Sequence, residues 1–491
     1  MIEALNQAAR WKRLIVAGCI LYGGMGVVAL MPKSTVVPQY PSGMTALSPY
    51  TFIGKYFHGS PATLSIAFII MTAGAFFVGF RAWRLAHMGE SARLAFIGGV
   101  LFSGLLILTP PIISQDVYSY SAYGRMFALH DVNPYVEGPV AIADDPSANY
   151  VGRMWWEMPS VYGPVIQLGT SGLAWLIRDY AAYVIALKFA ATVFLWLGMW
   201  ILVDLARRFG RSPTIALVAV GWNPLVIVHV AGGGHNDIFM AVALLGALAL
   251  HLRGRENLAI VALGLGSMVK FLAGVPLLLY LILIWRSTPQ GRRAVRATES
   301  LGILAAMAIL GYLPFWHGTA TFGALLRVSG LGSHIALPTV VGKASAFLIR
   351  TAGFRAVTDG QMTFVARLAG GIFFFWYFIH LARNLKTDEQ LPEAWGKILL
   401  VYCLTTGYLQ PWYLVWAILP LALVPESKAL KLAVVAGFVY SFTQLPGGYV
   451  VLGNETRRAG PWIALAAAPV VLALSAILYL RHRRSLQPSL D

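Results

Sequence analysis

The chain has 491 residues, 58% of them hydrophobic and 12% charged, with 37 Lys and Arg against 20 Asp and Glu. A soluble domain carries about a quarter charged residues, so a soluble globular fold is excluded and an all-α polytopic membrane protein is expected. The net charge of +17 would suggest nucleic acid in a soluble protein; here it is assigned to basic cytoplasmic loops facing a lipid bilayer, and no nucleic-acid partner is expected.

The first apolar run, 14–31, follows Arg10, Lys12 and Arg13. It is long for the core of a signal peptide and no clear small-residue cleavage site follows, so it reads as a membrane span. A span needs about 20 apolar residues, fewer where a helix is short or broken. Further spans are expected at 62–81, 94–113, 181–205, 213–231, 236–252, 257–269, 272–286, 298–315, 362–382, 396–410, 412–424, 429–446 and 461–481. That makes about fourteen spans in one integral membrane domain over 1–491, with no soluble C-terminal domain. The longest non-apolar segments are 32–60, 114–163 and 316–361. Cys19 and Cys403 sit inside apolar runs and read as packed thiols.

Orientation follows from the basic loops. Arg81 and Arg84, the Arg207–Arg208–Arg211 group, Arg253 and Arg255, and the Arg286–Arg292–Arg293–Arg296 group fall on one side. Arg383, Lys386, Lys428, Lys431, Arg481, Arg483 and Arg484 join them, with both termini. That side reads as cytoplasmic, and the loop 114–180 lies outside. Residues 164–177 are apolar, but counting them as a span would move Arg207, Arg208 and Arg211 outside, so an interfacial helix is expected there. The outer face keeps basic residues of its own: Arg125, Arg153, Lys270, Arg327, Lys343, Arg350, Arg355, Arg457 and Arg458. Anionic headgroups or an anionic ligand would explain them.

Four stretches carry candidate chemistry. PPIISQDVYSYSAYGRMFALHDVNPYVEGP runs from Pro110 to Pro139. The two prolines end a span, Ser114 is the expected N-cap, and Asp116, Tyr120, Tyr123 and Phe127 share one face of an amphipathic helix. A helix N-terminus favours an ionised acid, which can serve as a general base, although Asp116 would equally cap its helix. GGGHNDIFMA, from Gly232 to Ala241, gathers His235, Asn236 and Asp237 at an outer junction between spans, as a functional cluster or a polar cap. In MVKF, Lys270 stands at membrane depth and needs an anionic partner or a path to the surface. YLQPWYLVW, from Tyr408 to Trp416, breaks a run at Gln410-Pro411 and clusters Trp412, Tyr413 and Trp416. These aromatics, like Trp155, Trp156 and Tyr162, suit a sugar or an interfacial belt. There is no HExxH, no paired cysteines, no P-loop and no nucleotide fingerprint.

A long apolar helix, then an acidic residue opening an outer loop, then many spans, resembles the GT-C glycosyltransferases. Within that group QDVYSYSAYGRMFALHDVNPYVEGP, GGGHNDIFMA and LQPWYLVWAILPL are similar to bacterial polyprenol-phosphate-mannose-dependent α-(1→6)-mannosyltransferases. The resemblance implies a GT-C fold with interfacial helices in the first long outer loop, in a bacterial plasma membrane. It implies transfer of a hexose, mannose first, from a polyprenyl-phosphate carrier to a glycan or glycolipid acceptor on the outer face. Asp116 matches the catalytic base, Asp237 a second acidic position, and Tyr162-Gly163-Pro164 the turn that closes the first loop. The implied reaction is a single inverting displacement, with Lys270, Arg327 and Arg125 as candidates for the donor phosphate. Tyr118, Tyr120, His235, Asn236, Asp237, Trp155, Trp156, Tyr162, Gln410, Trp412 and Tyr413 are the candidate substrate contacts. A monophosphate leaving group makes a metal less necessary, and no cofactor is expected. A transporter or flippase of lipid-linked sugars, or a glycan ligase, would use a similar basic outer cavity; no convincing inverted repeat favours the transporter.

Overall fold

In the computed structural model, residues 2–443 are described. The expected span 461–481, the end of 429–446, and Arg457, Arg458, Arg481, Arg483 and Arg484 lie outside them. Among the described residues every regular element is a helix and none is a strand.

The long helices carry their own start signals. Pro61 takes the first position of Pro61–Ala86, and the Ser60 hydroxyl accepts the Thr63 N–H at 3.1 Å. The Asp179 carboxylate accepts the Ala182 N–H at 2.8 Å ahead of Tyr180–Arg208. Thr358 and Gln361 form a capping box ahead of Asp359–Asn384. These three, with Asn6–Leu30 and Gln290–Phe315, are the five described helices long and apolar enough to cross a membrane. A sixth arises if Pro213–Gly221 and Pro224–Gly232 form one broken span. The other expected spans within the described residues are shorter helices, Ala92–Ile107, Asp237–His251, Glu256–Val269, Phe271–Ser287, Leu391–Thr405, Pro411–Leu421 and Lys428–Ser441. Asp359–Asn384 turns Phe364, Leu368, Phe375 and Trp376 outward, each more than half exposed. That surface suits hydrocarbon, since soluble proteins avoid contiguous apolar patches of this kind.

The broken pair positions the site. It bends by 50° at Trp222-Asn223, where the Asn223 side chain restarts the helix by accepting the Leu225 N–H at 3.1 Å. Trp222 fills the bend: its indole N–H donates to the Ala95 carbonyl at 2.8 Å, and its ring meets Trp11 and Phe102 edge-on. A Cβ at Gly98 would overlap that ring, so the helices approach closely only because the residue is glycine. The pair ends in a π-helical turn, Ile227–Gly232, of the kind that often marks functional sites.

One expectation changes here. The Asp116–His130 helix is not an amphipathic helix with a free face, because Val117 to Met126 are all buried. Pro164–Leu176 and Tyr180–Arg208 cover it: Gly124 admits Thr170 and the Tyr183 hydroxyl, and Ser121 bonds the Tyr180 hydroxyl at 2.9 Å. Pro164–Leu176 is a 13-residue helix whose buried residues, Pro164, Ile166, Gln167, Thr170, Ser171 and Ala174, form one stripe. The non-apolar segment 316–361 is also partly helical, with Leu337–Thr351 packed on Asp359–Asn384 where Gly342 meets Met362 and Thr363.

Candidate active site

Backbone bonds set the path into the site. After Pro110-Pro111, the Ile112 N–H donates to the Gly232 carbonyl at 3.1 Å and the Ile113 N–H to the Val36 carbonyl at 2.9 Å. The Ser114 N–H returns to the Ile112 carbonyl at 2.9 Å, and Ile113 has φ +70°. This is a γ-turn of the rare positive-φ kind. A β-branched residue there costs about 1–3 kcal/mol and persists only where its surroundings over-determine it. The turn aims the next residues: Gln115 takes the cap position, and Ser114 stands one residue ahead of it, its hydroxyl accepting the Asp116 N–H at 3.2 Å.

Asp116 therefore opens its helix facing the His-Asn-Asp loop. Its Oδ2 lies 3.8 Å from His235 Nε2. His235 is fully buried, and its Nδ1 is 2.7 Å from the His229 carbonyl in the π-turn. A carbonyl only accepts, so Nδ1 carries the proton and Nε2 turns a lone pair toward Asp116. Nε2 has no hydrogen-bond partner, so two acceptors face each other across a gap that a hydroxylated ligand could bridge. Trp412 lies against the imidazole with ring centroids 3.9 Å apart. Gly234 makes the loop possible: its φ is +71°, and a Cβ would stand 2.9 Å from Lys188 Cγ.

Burial pushes the Asp116 carboxyl up to about 6; Lys270 opposes that shift, Asp237 adds to it, and the Ser114 hydroxyl opposes it. The side chain is still 22% exposed, open to a ligand on one side. At neutral pH the group is mostly ionised yet far more basic than an ordinary aspartate.

Asp237 is fully buried and has its own cation. Its Oδ1 accepts from Lys270 Nζ at 2.7 Å and from the Trp416 indole at 2.7 Å. Lys270 Nζ also lies over the rings of Tyr413 at 5.1 Å, Trp416 at 5.2 Å and Tyr162 at 6.0 Å. Tyr162 meets Tyr120 edge-on at 4.8 Å. The Tyr162 turn is fixed to the Lys270 segment because the Gly163 N–H donates to the Val269 carbonyl at 3.1 Å, and a Cβ at Gly163 would overlap the Met268 carbonyl. Asn236 is buried with both amide atoms unpartnered. Gln410 opens the turn Pro411–Tyr413, which brings Trp412 and Tyr413 to the cluster.

Other expected residues lie elsewhere. Arg125 is nine residues after Asp116, on the opposite side of the same helix. It is buried in a forked bond to Asp145, 2.9 Å from Nε and 2.9 Å from Nη2, with the Arg178 carbonyl on Nη1 at 3.2 Å. Burial alone would raise the Asp145 carboxyl, but bonds from Arg125, Ser147 and His130 hold it well below the usual carboxylate range. Arg125 thus fastens the outer loop rather than facing the cluster. Tyr118 points away and packs on Tyr150. Trp155 and Trp156 are half-buried on the turn after Gly152, and neither indole meets the Asp116 cluster among the described residues. Arg327 is exposed on Gly323–Ser329.

Sequence reading missed Lys188. It is fully buried and donates to the Leu106 carbonyl at 2.9 Å, the Thr109 hydroxyl at 3.1 Å and the Thr109 carbonyl. It closes the end of Ala92–Ile107 and supports Gly234, joining the two halves of the site. A lone lysine inside the expected span 181–205 was the available signal. Among the described residues no three His, Cys, Asp or Glu side chains converge on a place for a metal ion.

Comparison with known proteins decides the family. A family described as alpha-(1->6)-mannopyranosyltransferase, N-terminal domain, matches residues 20–287. The chain belongs to this family. Residues 338–479 match the MptB C-terminal domain. The chain is 27% identical to an alpha-(1->6)-mannopyranosyltransferase A of Mycobacterium tuberculosis over 69% of its own length and 66% of that protein. It is 26% identical to an alpha-(1->6)-mannopyranosyltransferase B of Corynebacterium glutamicum over 89% and 77%. A probable alpha-(1->6)-mannopyranosyltransferase of Mycolicibacterium smegmatis is 26% identical over 78% and 74%. This alpha-(1->6)-mannopyranosyltransferase family member is thus a glycosyltransferase carried by an all-α membrane fold.

The Asp237–Lys270 pair yields a stability test. Lys270→Met in this mannosyltransferase-family chain leaves a buried carboxylate held by one indole. Breaking one partner of a buried pair costs about 3–5 kcal/mol, whereas replacing both by apolar groups is often nearly neutral. Thermal unfolding in detergent should show a clear loss for Lys270→Met and recovery in Lys270→Met/Asp237→Leu. Equal melting of the single and double variants would mean that the two charges are not coupled.

Proposed function

We propose that this chain transfers mannose from a polyprenyl-phosphate carrier to a glycan or glycolipid acceptor on the outer face of a bacterial plasma membrane. The observation that carries the reading is the Asp116 carboxylate. It is partly open, raised to about 6, and faces the lone pair of His235. An acceptor hydroxyl donates its proton to Asp116 as its oxygen attacks the anomeric carbon. The carbon–oxygen bond to the phosphate breaks, and its electron pair leaves with the lipid phosphate. One displacement inverts a β-linked donor to an α-linkage, and no second carboxylate acts as nucleophile.

The other groups take positioning roles. A second hydroxyl of the sugar donates to His235 Nε2, and Asn236 offers an amide to the same acceptor. The rings of Trp412, Tyr413, Tyr162 and Tyr120 make an apolar wall of the kind that receives sugar faces. Lys270 gives one N–H to Asp237 and has others to offer the departing phosphate. The relatives' names support mannose and an α-(1→6) linkage.

Asp116→Asn keeps the shape and removes the proton acceptor. In an assay with polyprenyl-phosphate-mannose and a short mannan, turnover should fall by about 10²–10⁴-fold, with donor binding retained. Near-normal transfer by the variant would remove Asp116 as base. Lipid movement without glycosylated product in the wild type would favour a transporter.

The outer-face assignment is tested separately. Asn149 and Gln290 are both exposed. In intact cells an impermeant thiol reagent should label Asn149→Cys and spare Gln290→Cys. The reverse pattern would put the site on the cytoplasmic face.

A further inference from the structure

A phosphate-bearing lipid brings negative charge, and the Lys270 charge is already matched by Asp237. A second cation is needed. Arg367 lies on Asp359–Asn384. Its guanidinium has no ion pair and no hydrogen bond to any described residue, and its Nε is buried. Arg367 is half-buried on a helix long and apolar enough to cross a membrane, and an unpaired arginine in such a helix is costly and marks a candidate functional site.

Its surroundings are shaped for it. A Cβ at Gly407 would stand 2.5 Å from Arg367 Nε, and one at Gly332 would overlap Nη2. Glycine at both positions lets two backbone segments close on the guanidinium. The segments are bonded to each other: the Ser333 N–H donates to the Gly407 carbonyl at 3.0 Å, and the Leu409 N–H to the Ser333 hydroxyl at 3.1 Å. Gln410, Trp412 and Tyr413 follow directly, so Arg367 borders the loop that walls His235 and Lys270. Tyr408 bridges the two regions, its ring 6.5 Å from Tyr413. Lys343 and His334, 3.5 Å apart, add basic groups beside Gly332. Among the described residues no carboxylate pairs with Arg367, Lys343 or His334.

We infer that Arg367, cradled by Gly332 and Gly407, binds the phosphate of the lipid-borne substrate and of the released polyprenyl phosphate. The inference rests on the donor reading above. A planar guanidinium fits two phosphate oxygens at once, which an ammonium does not.

The test is polyprenyl monophosphate binding by the purified full chain in detergent. Losing one charge-assisted bond of about 1.5–3 kcal/mol weakens binding by roughly tenfold or more. Arg367→Gln should show that loss, and Arg367→Lys should recover part of it. Gly407→Ala, whose methyl displaces the guanidinium, should weaken binding with Arg367 still present. Phosphatidylglycerol at equal concentration should not compete. Lipid-free melting temperatures identify any variant that has simply lost its fold. Wild-type affinity in a folded Arg367→Gln would overturn the inference and leave the donor reading standing. No binding of polyprenyl phosphate by the wild type would overturn the donor reading and this inference with it. Competition by phosphatidylglycerol at equal strength would make the cradle a headgroup site and overturn its assignment to the donor.

Discussion

Two carboxylates share one poorly solvated pocket with one lysine. Asp237 takes the lysine at 2.7 Å and is fully buried. Asp116 has only a neutral imidazole across from it, at 3.8 Å. This unequal division gives the acids different characters. Asp237 is a fixed anchor whose oxygen is shared by Lys270 and Trp416. Asp116 stays accessible and raised, the state a general base near neutral pH requires. The raised value also has a cost in stability. An acid that binds its proton more tightly when folded favours the fold at low pH and loses that contribution as pH rises toward about 6. On the proposed reading that cost is part of the mechanism.

The division depends on backbone geometry outside the pocket. The π-turn at Ile227–Gly232 turns the His229 carbonyl toward His235 and fixes its tautomer. The Gly232 carbonyl receives the Ile112 N–H, so the same loop also sets the approach to Asp116. Lys188 closes the arrangement from below by satisfying carbonyls at the end of Ala92–Ile107. Strain at Ile113 and the left-handed Gly234 are the local consequences of bringing these segments together. The Ile113 turn would not persist without the bonds around it, whereas glycine takes the Gly234 conformation without steric cost.

Much of the site could be read in the sequence because its residues break apolar runs. Asp116 after Pro110-Pro111, His235 to Asp237 after three glycines, Lys270 in MVKF and Gln410 before Pro411 are all polar groups at span ends. The structure brings Asp116, His235, Asp237 and Lys270 together. Their partners were not legible. Lys270, at the break after Glu256–Val269, and Asp237, at the start of Asp237–His251, are 33 residues apart, and nothing in a linear pattern pairs them. Arg125 looked like a phosphate ligand by charge alone, although nine residues of helix put it behind Asp116. Lys188 and Arg367 were absorbed into apolar spans, where a single charge does not change the length criterion. The burial of Val117 to Met126 was hidden because the spacing of Asp116, Tyr120, Tyr123 and Phe127 read as one face of an amphipathic helix, whereas Pro164–Leu176 and Tyr180–Arg208 pack over it.

The most direct test of the unequal division is the acid limb of kcat/KM against pH. The wild type should rise with unit slope up to about 6 and then level. Asp237→Asn removes a neighbouring negative charge and frees Lys270, and both changes favour the Asp116 anion. The limb should therefore move to lower pH in this variant, with residual transfer retained. A limb that stays in place, or moves to higher pH, would contradict the claim that Asp237 takes the lysine and leaves Asp116 as the base.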